Sequence, residues 1–133
     1  ILTALPQVTI SGTDYNPESL ERAMAGNGIH SLFNKEYKDK FSVSLKESIA
    51  GYIALEMERK GEDAERFMEC YNALPYSKEG KSLPCLAEKA KFKGKECYLV
   101  LFNRGLEKGD LGHYAYYAVD KTTKEILESA SCR

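Results

Sequence analysis

The sequence has little of what usually marks a membrane protein or a nucleic-acid-binding protein. Its 133 residues contain 19 basic and 20 acidic side chains, and the resulting net charge of −1 provides no overall field to attract a polyanion or an anionic membrane. The longest apolar stretches, residues 98–102 and 114–119, are far shorter than the roughly 18 to 20 residues that cross a bilayer. We therefore expect no membrane span.

One segment departs from this charge balance. The stretch from Lys78 to Lys95 carries six lysines and two glutamates over 18 residues, and it can contact an anionic partner. Alternating lysines at Lys89, Lys91 and Lys93 are also typical of an edge strand, where they discourage pairing with another sheet. A nucleic-acid partner is therefore expected only through this segment.

Motifs for catalysis and cofactor binding are missing as well. The sequence contains no glycine-rich dinucleotide motif and no phosphate-binding loop, and no Ser/His/Asp or Cys/His set can be assembled. Of the two histidines, His30 is assigned to a loop and His113 to the start of a strand. His113 can serve as a general acid or base if a carboxylate and Arg104 converge on it, and a surface histidine is the alternative. The sequence favours binding over catalysis and predicts no cofactor.

Four cysteines at wide spacing, with no Cys-x-x-Cys pair, predict disulfide bonds. Disulfides persist outside the cytosol, so we expect a secreted, periplasmic or extracellular protein. The chain opens at Ile1 without a methionine or a long apolar segment, and any signal peptide is expected to have been removed. Cysteine separations of 15, 12 and 35 residues lack the close pairs of a zinc site, so no metal is predicted.

The predicted strand register limits which cysteines can pair. Cys132 is expected to lie about six residues, or roughly 20 Å, from Cys97 along the strands, whereas a disulfide needs Cα atoms within about 7 Å. Cys85 is likewise expected to lie too far from Cys97 along the strands, because a hairpin that closes at Gly94 places Cys85 opposite Asn103. By elimination, Cys70 is predicted to pair with Cys97, and Cys85 with Cys132.

The order of hydrophobic periods predicts a single α+β domain over residues 1–133. A short strand over 6–12 precedes a helix that begins at Asn16-Pro17, and apolar residues at helical spacing predict two further helices over 44–61 and 64–74. Ser44 is the predicted cap of the first of these two. Period-two patterns then predict strands over 90–93, 97–103, 113–119 and 125–130. The helices are expected to pack on a four-stranded antiparallel meander sheet that disulfides stabilise.

Tyrosines provide the strongest lead to a binding surface, since nine occur in the chain and three lie almost adjacent near residue 116. If the helices cover one face of the sheet, Tyr114 and Tyr116 remain outside with Tyr98 or Phe102 of the neighbouring strand. Exposed tyrosines anchor interfaces well because they bring large rigid area at low entropic cost. Packing inside a two-sided core is the alternative.

Three fragments also resemble the small secreted fungal ribonucleases and the effectors derived from them. Residues 11–15 lead into a helix as the first turn of that family does, residues 100–103 resemble its central strand, and Cys132 lies near the C-terminus as its last cysteine does. The resemblance implies a ribonuclease-like hydrolase. Only His113 can be matched to the catalytic glutamate, arginine and histidine set of that family, so the expected relative is a catalytically inactive binding descendant.

Together these patterns predict a secreted, disulfide-containing α+β protein that binds another macromolecule, as an effector, an inhibitor or an adhesion module. A ribonuclease-like hydrolase, or its inactive effector descendant, is the alternative. A protein partner is expected in the first case, through Tyr98, Tyr114 and Tyr116.

Overall fold

The computed structural model describes residues 2–104 and 113–131, which form one strand, then the helices, then four further strands. In chain order the elements are β1 (Gln7–Tyr15), α1 (Pro17–Ala25), α2 (Ile29–Glu36), α3 (Val43–Arg59), α4 (Ala64–Asn72), a 3-10 helix (Pro75–Ser77), β2 (Leu83–Phe92), β3 (Lys95–Arg104), β4 (His113–Asp120) and β5 (Ile126–Ser131). None of the helices in these residues is long and apolar enough to cross a membrane.

Local hydrogen bonds explain where the helices begin. The Asn16 side chain accepts a hydrogen bond from the Ser19 amide at 2.8 Å, and the Ser19 hydroxyl accepts one from the Asn16 amide at 3.0 Å. This reciprocal capping satisfies two amides that the first turn leaves without helical partners. Helix α3 begins earlier than predicted, because Ser42 and not Ser44 caps it, through the Leu45 amide at 3.0 Å.

In the part of the chain that the structure describes, the sheet has five strands in the order β1-β2-β3-β4-β5. Strand β1 runs parallel to β2, and the other neighbouring pairs are antiparallel. The predicted four-stranded antiparallel meander is therefore wrong, although the molecule is α+β. All of the helices in the described residues lie between β1 and β2 in the chain, and such a long crossover allows the two strands to run in the same direction.

Strand β2 is longer than predicted and lies inside the sheet. Its first six residues, Leu83 to Glu88, are all buried, so they show no alternation of apolar and polar side chains. The edge-strand interpretation of Lys89 and Lys91 is also wrong, because β2 pairs with β1 on one side and β3 on the other. The Lys89 ammonium instead forms a salt bridge with Glu96 of β3.

A two-residue turn joins β2 to β3. Lys93 and Gly94 both have positive φ, 49° and 81°, as a hairpin turn that follows the twist of the strands requires. The turn is attached to β1, since the Lys93 amide donates to the Tyr15 carbonyl and the Gly94 amide to the Asp14 side chain, each at 2.9 Å. The turn predicted at Gly94 is thus present, and hydrogen bonds to β1, at the edge of the sheet, also stabilise it.

Helices cover both faces of the sheet. On β3, Phe102 stacks on Tyr71 of α4 with ring centroids 5.9 Å apart, whereas the side chain of the next residue, Asn103, donates to Asn34 of α2 at 2.7 Å. Because side chains alternate along a strand, α1 and α2 pack on one face, and α3, α4 and the 3-10 helix pack on the other. We call the face covered by α3, α4 and the 3-10 helix the α3/α4 face. Two covered faces account for the burial of every residue from 97 to 103.

The predicted disulfides are wrong. Cys70, Cys85 and Cys97 are buried free thiols, and Cys132 lies outside the described residues. Cys70 is on α4, on the α3/α4 face, whereas Cys97 is on β3 one residue before Tyr98 and points to the opposite face. The sheet therefore separates the two sulfur atoms. The thiol of Cys85 donates to the Leu101 carbonyl at 3.4 Å.

This correction removes the basis for a secreted, disulfide-stabilised effector. Burial raises the pKa of Cys97 to about 12 and also raises the pKa values of Cys70 and Cys85. These three side chains are therefore neutral thiols near pH 7, and they serve as small apolar parts of the core.

Candidate functional site

Of the three tyrosines predicted to form a binding surface, two are buried and one is half-buried. Tyr98 is fully buried on the α3/α4 face, where its hydroxyl donates to Glu62 at 2.6 Å. Tyr116 is buried on the opposite face and donates to Glu21 at 2.5 Å. Tyr114 is half-buried beside it and donates to the same carboxylate at 3.3 Å. The described structure therefore uses these tyrosines mainly in the core.

The two histidines lie on different faces of the sheet. His113 is directly opposite Arg104 in the β3–β4 register, and the Arg104 guanidinium lies 5.6 Å from the centre of the Tyr76 ring. His30 is on α2 and not in a loop, and burial lowers its pKa. Within residues 2–104 and 113–131, no group of three or more His, Cys, Asp or Glu side chains is placed to hold a metal ion.

A cleft of about 960 Å³ opens between α3, α4 and the segment 77–81, which begins at the last residue of the 3-10 helix. That volume is within the range of small-molecule sites. Its walls are largely apolar, and its polar lining includes lysine, tyrosine and serine side chains. The lining includes Phe41, Lys46, Met68, Tyr71, Lys78 and Lys81.

Lys46 occupies the inner wall of this cleft. The residue is only 5% exposed to solvent. Its ammonium donates hydrogen bonds to the backbone carbonyls of Glu79 at 3.2 Å and Gly80 at 3.5 Å. The ring centres of Phe41 and Phe102 each lie 6.0 Å from Nζ. In the part of the chain that the structure describes, this ammonium forms no salt bridge to a carboxylate.

Burial without a counter-charge changes the protonation of this lysine. Removing an ammonium from water disfavours its charged form, and burial lowers the pKa of Lys46 to about 8. A lysine with such a pKa supplies an appreciable fraction of neutral amine near pH 7. Lys46 can therefore act either as a cation or as a nucleophile.

A second polar group of the cleft lacks a partner. The hydroxyl of Tyr71 is buried, and among the described residues it has no hydrogen-bond partner. Burial raises the pKa of Tyr71, so the group remains a neutral phenol that can donate a hydrogen bond. Its ring stacks on Phe102, the same ring that Lys46 approaches. The amine and the phenol therefore belong to one wall.

The cleft is also positively charged. Exposed Lys78 and Lys81 stand at its mouth, and Glu47 is the acidic residue among those that line it. Three lysines against one carboxylate attract an anion, while Phe41 and Met68 provide apolar contact. The arrangement suits a small organic anion with an apolar body.

Lys46 is not among the residues that the sequence patterns single out. The cap predicted at Ser44 places it in the first turn of the helix, where a lysine is ordinarily exposed to solvent. In the fold it lies four residues before Ala50 and seven before Ile53, at positions of the buried helical stripe. A lysine at an apolar position of an otherwise regular stripe is the signal that points to a buried amine.

Replacing Lys46 with methionine is expected to stabilise the protein near pH 7 by about 1 to 3 kcal/mol, because an unpaired ammonium is no longer buried. The pKa of Lys46 falls from 10.5 in the unfolded chain to about 8 in the fold. Between these values the unfolded chain holds a proton that the fold releases, so raising the pH stabilises the wild type relative to the variant. Chemical denaturation of both proteins from pH 7 to pH 10 measures the difference.

The matched control is Lys60→Met, at the exposed end of α3. We expect its stability to differ little from that of the wild type. The difference in stability between this variant and the wild type should also stay constant as the pH rises. A Lys46→Met variant that is less stable than the wild type at pH 7, with a constant difference at higher pH, would show that the ammonium is well solvated or paired in the fold.

Comparison with known proteins provides no relative from which a function can be transferred. No family model, no curated protein and no solved structure matches this chain. The fold and the cleft define an α+β domain with helices on both faces of a mixed sheet and a basic cleft on the α3/α4 face. Its residues are the basis for the functional inference.

Proposed function

We propose that this domain binds a small organic anion with an apolar body in the cleft between α3 and α4. The observation that carries the proposal is the buried ammonium of Lys46, which opens on the cleft and has no carboxylate partner among the described residues. A buried charge is costly unless it is paired, and a bound anion supplies the missing partner.

The contacts available to such a ligand follow from the lining. Lys46 and the phenol of Tyr71 can both donate hydrogen bonds to a carboxylate, and charge-assisted bonds of this kind are roughly twice as strong as neutral ones. Lys78 and Lys81 at the mouth attract the anion from solution, and Met68 provides a deformable apolar surface.

This proposal replaces the expectation that the protein binds another macromolecule through exposed tyrosines. That expectation depended on a surface formed by Tyr98, Tyr114 and Tyr116, and two of these side chains are buried. The ribonuclease-like alternative depended on His113, for which the structure provides the neighbour Arg104. A small-molecule site requires neither arrangement.

Three compounds with the same carbon skeleton test the proposal: hydrocinnamate, hydrocinnamyl alcohol and phenylpropylamine. We expect hydrocinnamate to bind in the cleft, and the alcohol and the amine to bind at least about tenfold more weakly, because a charge-assisted hydrogen bond contributes about 1.5 to 3 kcal/mol. Titrations followed by calorimetry and by amide chemical shifts of α3 and α4 give the affinities and the location.

Variants identify the residue responsible. Lys46→Met should weaken hydrocinnamate binding about tenfold and leave the alcohol unaffected, whereas Lys60→Met should change neither. Equal affinities for the three compounds, binding that is insensitive to Lys46→Met, or no binding of hydrocinnamate at millimolar concentration would contradict the proposal.

A further inference from the structure

We propose that Lys46 forms a reversible imine with the ketone of an α-keto acid bound in the cleft. This inference rests on the proposed function, because it names the ligand class of the same site. It is carried by the position of one amine deep in the cleft, between two backbone carbonyls and two aromatic rings, with an unpartnered phenol in the same wall.

The surroundings of Lys46 suit attack on a carbonyl carbon. The carbonyls of Glu79 and Gly80 accept hydrogen bonds and orient Nζ, but they carry no net charge and so favour the ammonium form less than a carboxylate would. Burial lowers the pKa of Lys46 to about 8, which increases the fraction of neutral amine near pH 7. A lysine in a desolvated pocket is a recognised form of activated nucleophile.

The same geometry favours a keto acid over a simple aldehyde. In the imine of an α-keto acid, the protonated nitrogen has the carboxylate of the ligand on the adjacent carbon. The covalent product therefore brings the counter-charge that Lys46 lacks among the described residues, as a non-covalent anion would. Lys78 and Lys81 attract the same carboxylate as it enters.

The reaction balances without any oxidant or reductant. The nitrogen lone pair forms a bond to the carbonyl carbon while the C=O π electrons move to oxygen, which takes a proton from nitrogen to give a carbinolamine. The proton that the ammonium released before the attack then moves to the hydroxyl, the C–O bond breaks as the nitrogen lone pair forms a C=N bond, and the oxygen leaves as water. Overall, the ammonium and the ketone yield one protonated imine and one water. The Tyr71 phenol can donate a hydrogen bond to the oxygen in both steps.

Reductive trapping tests this inference on the full chain. The protein is incubated with phenylpyruvate and sodium cyanoborohydride, which reduces an imine to a stable secondary amine, and the adduct is located by peptide mass spectrometry. We expect one adduct per chain, with labelling of Lys46 at least about tenfold above that of Lys78, Lys81 or Lys60, because only Lys46 is desolvated in the cleft.

Two controls separate the chemistry from the binding. Phenyllactate has a hydroxyl in place of the ketone, so an excess of it should protect Lys46 of the wild type from trapping while forming no adduct itself. Lys46→Arg lacks a nucleophilic amine, so it should lose the adduct at this position.

The outcomes distinguish this inference from the proposed function. Binding of hydrocinnamate together with no adduct, or with an adduct spread evenly over surface lysines, overturns the imine and leaves the anion site in place. Failure of both binding and trapping overturns both. An adduct at Lys46 of the wild type that phenyllactate prevents supports the imine even if the arginine variant does not fold.

Discussion

Replacing Phe102 with alanine is expected to lower the free energy of unfolding by about 3 to 5 kcal/mol, the usual cost of removing a buried phenylalanine ring. Phe102 is fully buried on β3 and its ring contacts three tyrosines. The ring centroids of Tyr71, Tyr76 and Tyr117 lie 5.9, 6.0 and 6.0 Å from it. Because these neighbours come from α4, the 3-10 helix and β4, they cannot all move to fill the space.

The measurement is denaturation followed by far-ultraviolet circular dichroism, since the chain contains no tryptophan. Phe102→Leu should cost markedly less, because most of the volume is kept, and Leu55→Ala, at a residue 48% exposed, should have a small effect. The Phe102→Ala variant should also bind hydrocinnamate less well, because the ring supports both Lys46 and Tyr71. A loss of stability below about 1 kcal/mol would show that the packing at this point is loose.

Replacing Asn103 with alanine is expected to cost about 2 to 4 kcal/mol, because it leaves two buried groups without a hydrogen-bond partner. The Asn103 side chain is fully buried, accepts from the Leu83 amide at 3.0 Å and donates to the Asn34 side chain at 2.7 Å. It therefore ties α2 to the sheet and bridges the start of β2 to β3. Alanine can replace neither bond.

A double-mutant cycle apportions this effect. Asn34→Leu and Asn103→Leu, made singly and together, should show that the combined loss is smaller than the sum, because the second change removes a partner that the first one left unsatisfied. Asn72→Ala, at an exposed residue of α4, is the control and should change stability by less than about 0.5 kcal/mol. Strict additivity of the two leucine variants would contradict a direct Asn34–Asn103 bond.

Several elements could be predicted from the sequence because the groups that determine them are neighbours in the chain. Asn16 and Pro17 start α1 through hydrogen bonds within four residues, and Lys93-Gly94 makes a turn whose φ values are local. The stripe that predicts α4 also ends just before Pro75. Such features need no knowledge of distant residues.

The pairing of strands and the fate of the cysteines could not be predicted in this way. Strand β1 pairs with β2, which lies some 70 residues further along the chain, and the burial of both faces of β2 hides its alternation. Elimination from the strand register predicts a bond between Cys70 and Cys97, but α4 and the Cys97 side chain lie on opposite sides of the sheet. An even number of cysteines allows every thiol to form a disulfide, but it does not show that any two cysteines lie close enough to do so.

The candidate site also combines features set by neighbouring residues with features set by distant ones. The sequence by itself determined that Lys46 is in a helix, beside an apolar stripe, and that lysines are concentrated after Lys78. Only the tertiary structure decided that the ammonium of Lys46 is buried against the carbonyls of Glu79 and Gly80, more than 30 residues away, in a cleft with Tyr71. The physical reason is that helix caps and turns depend on bonds between near neighbours, whereas the desolvation that changes a lysine depends on every element packed around it.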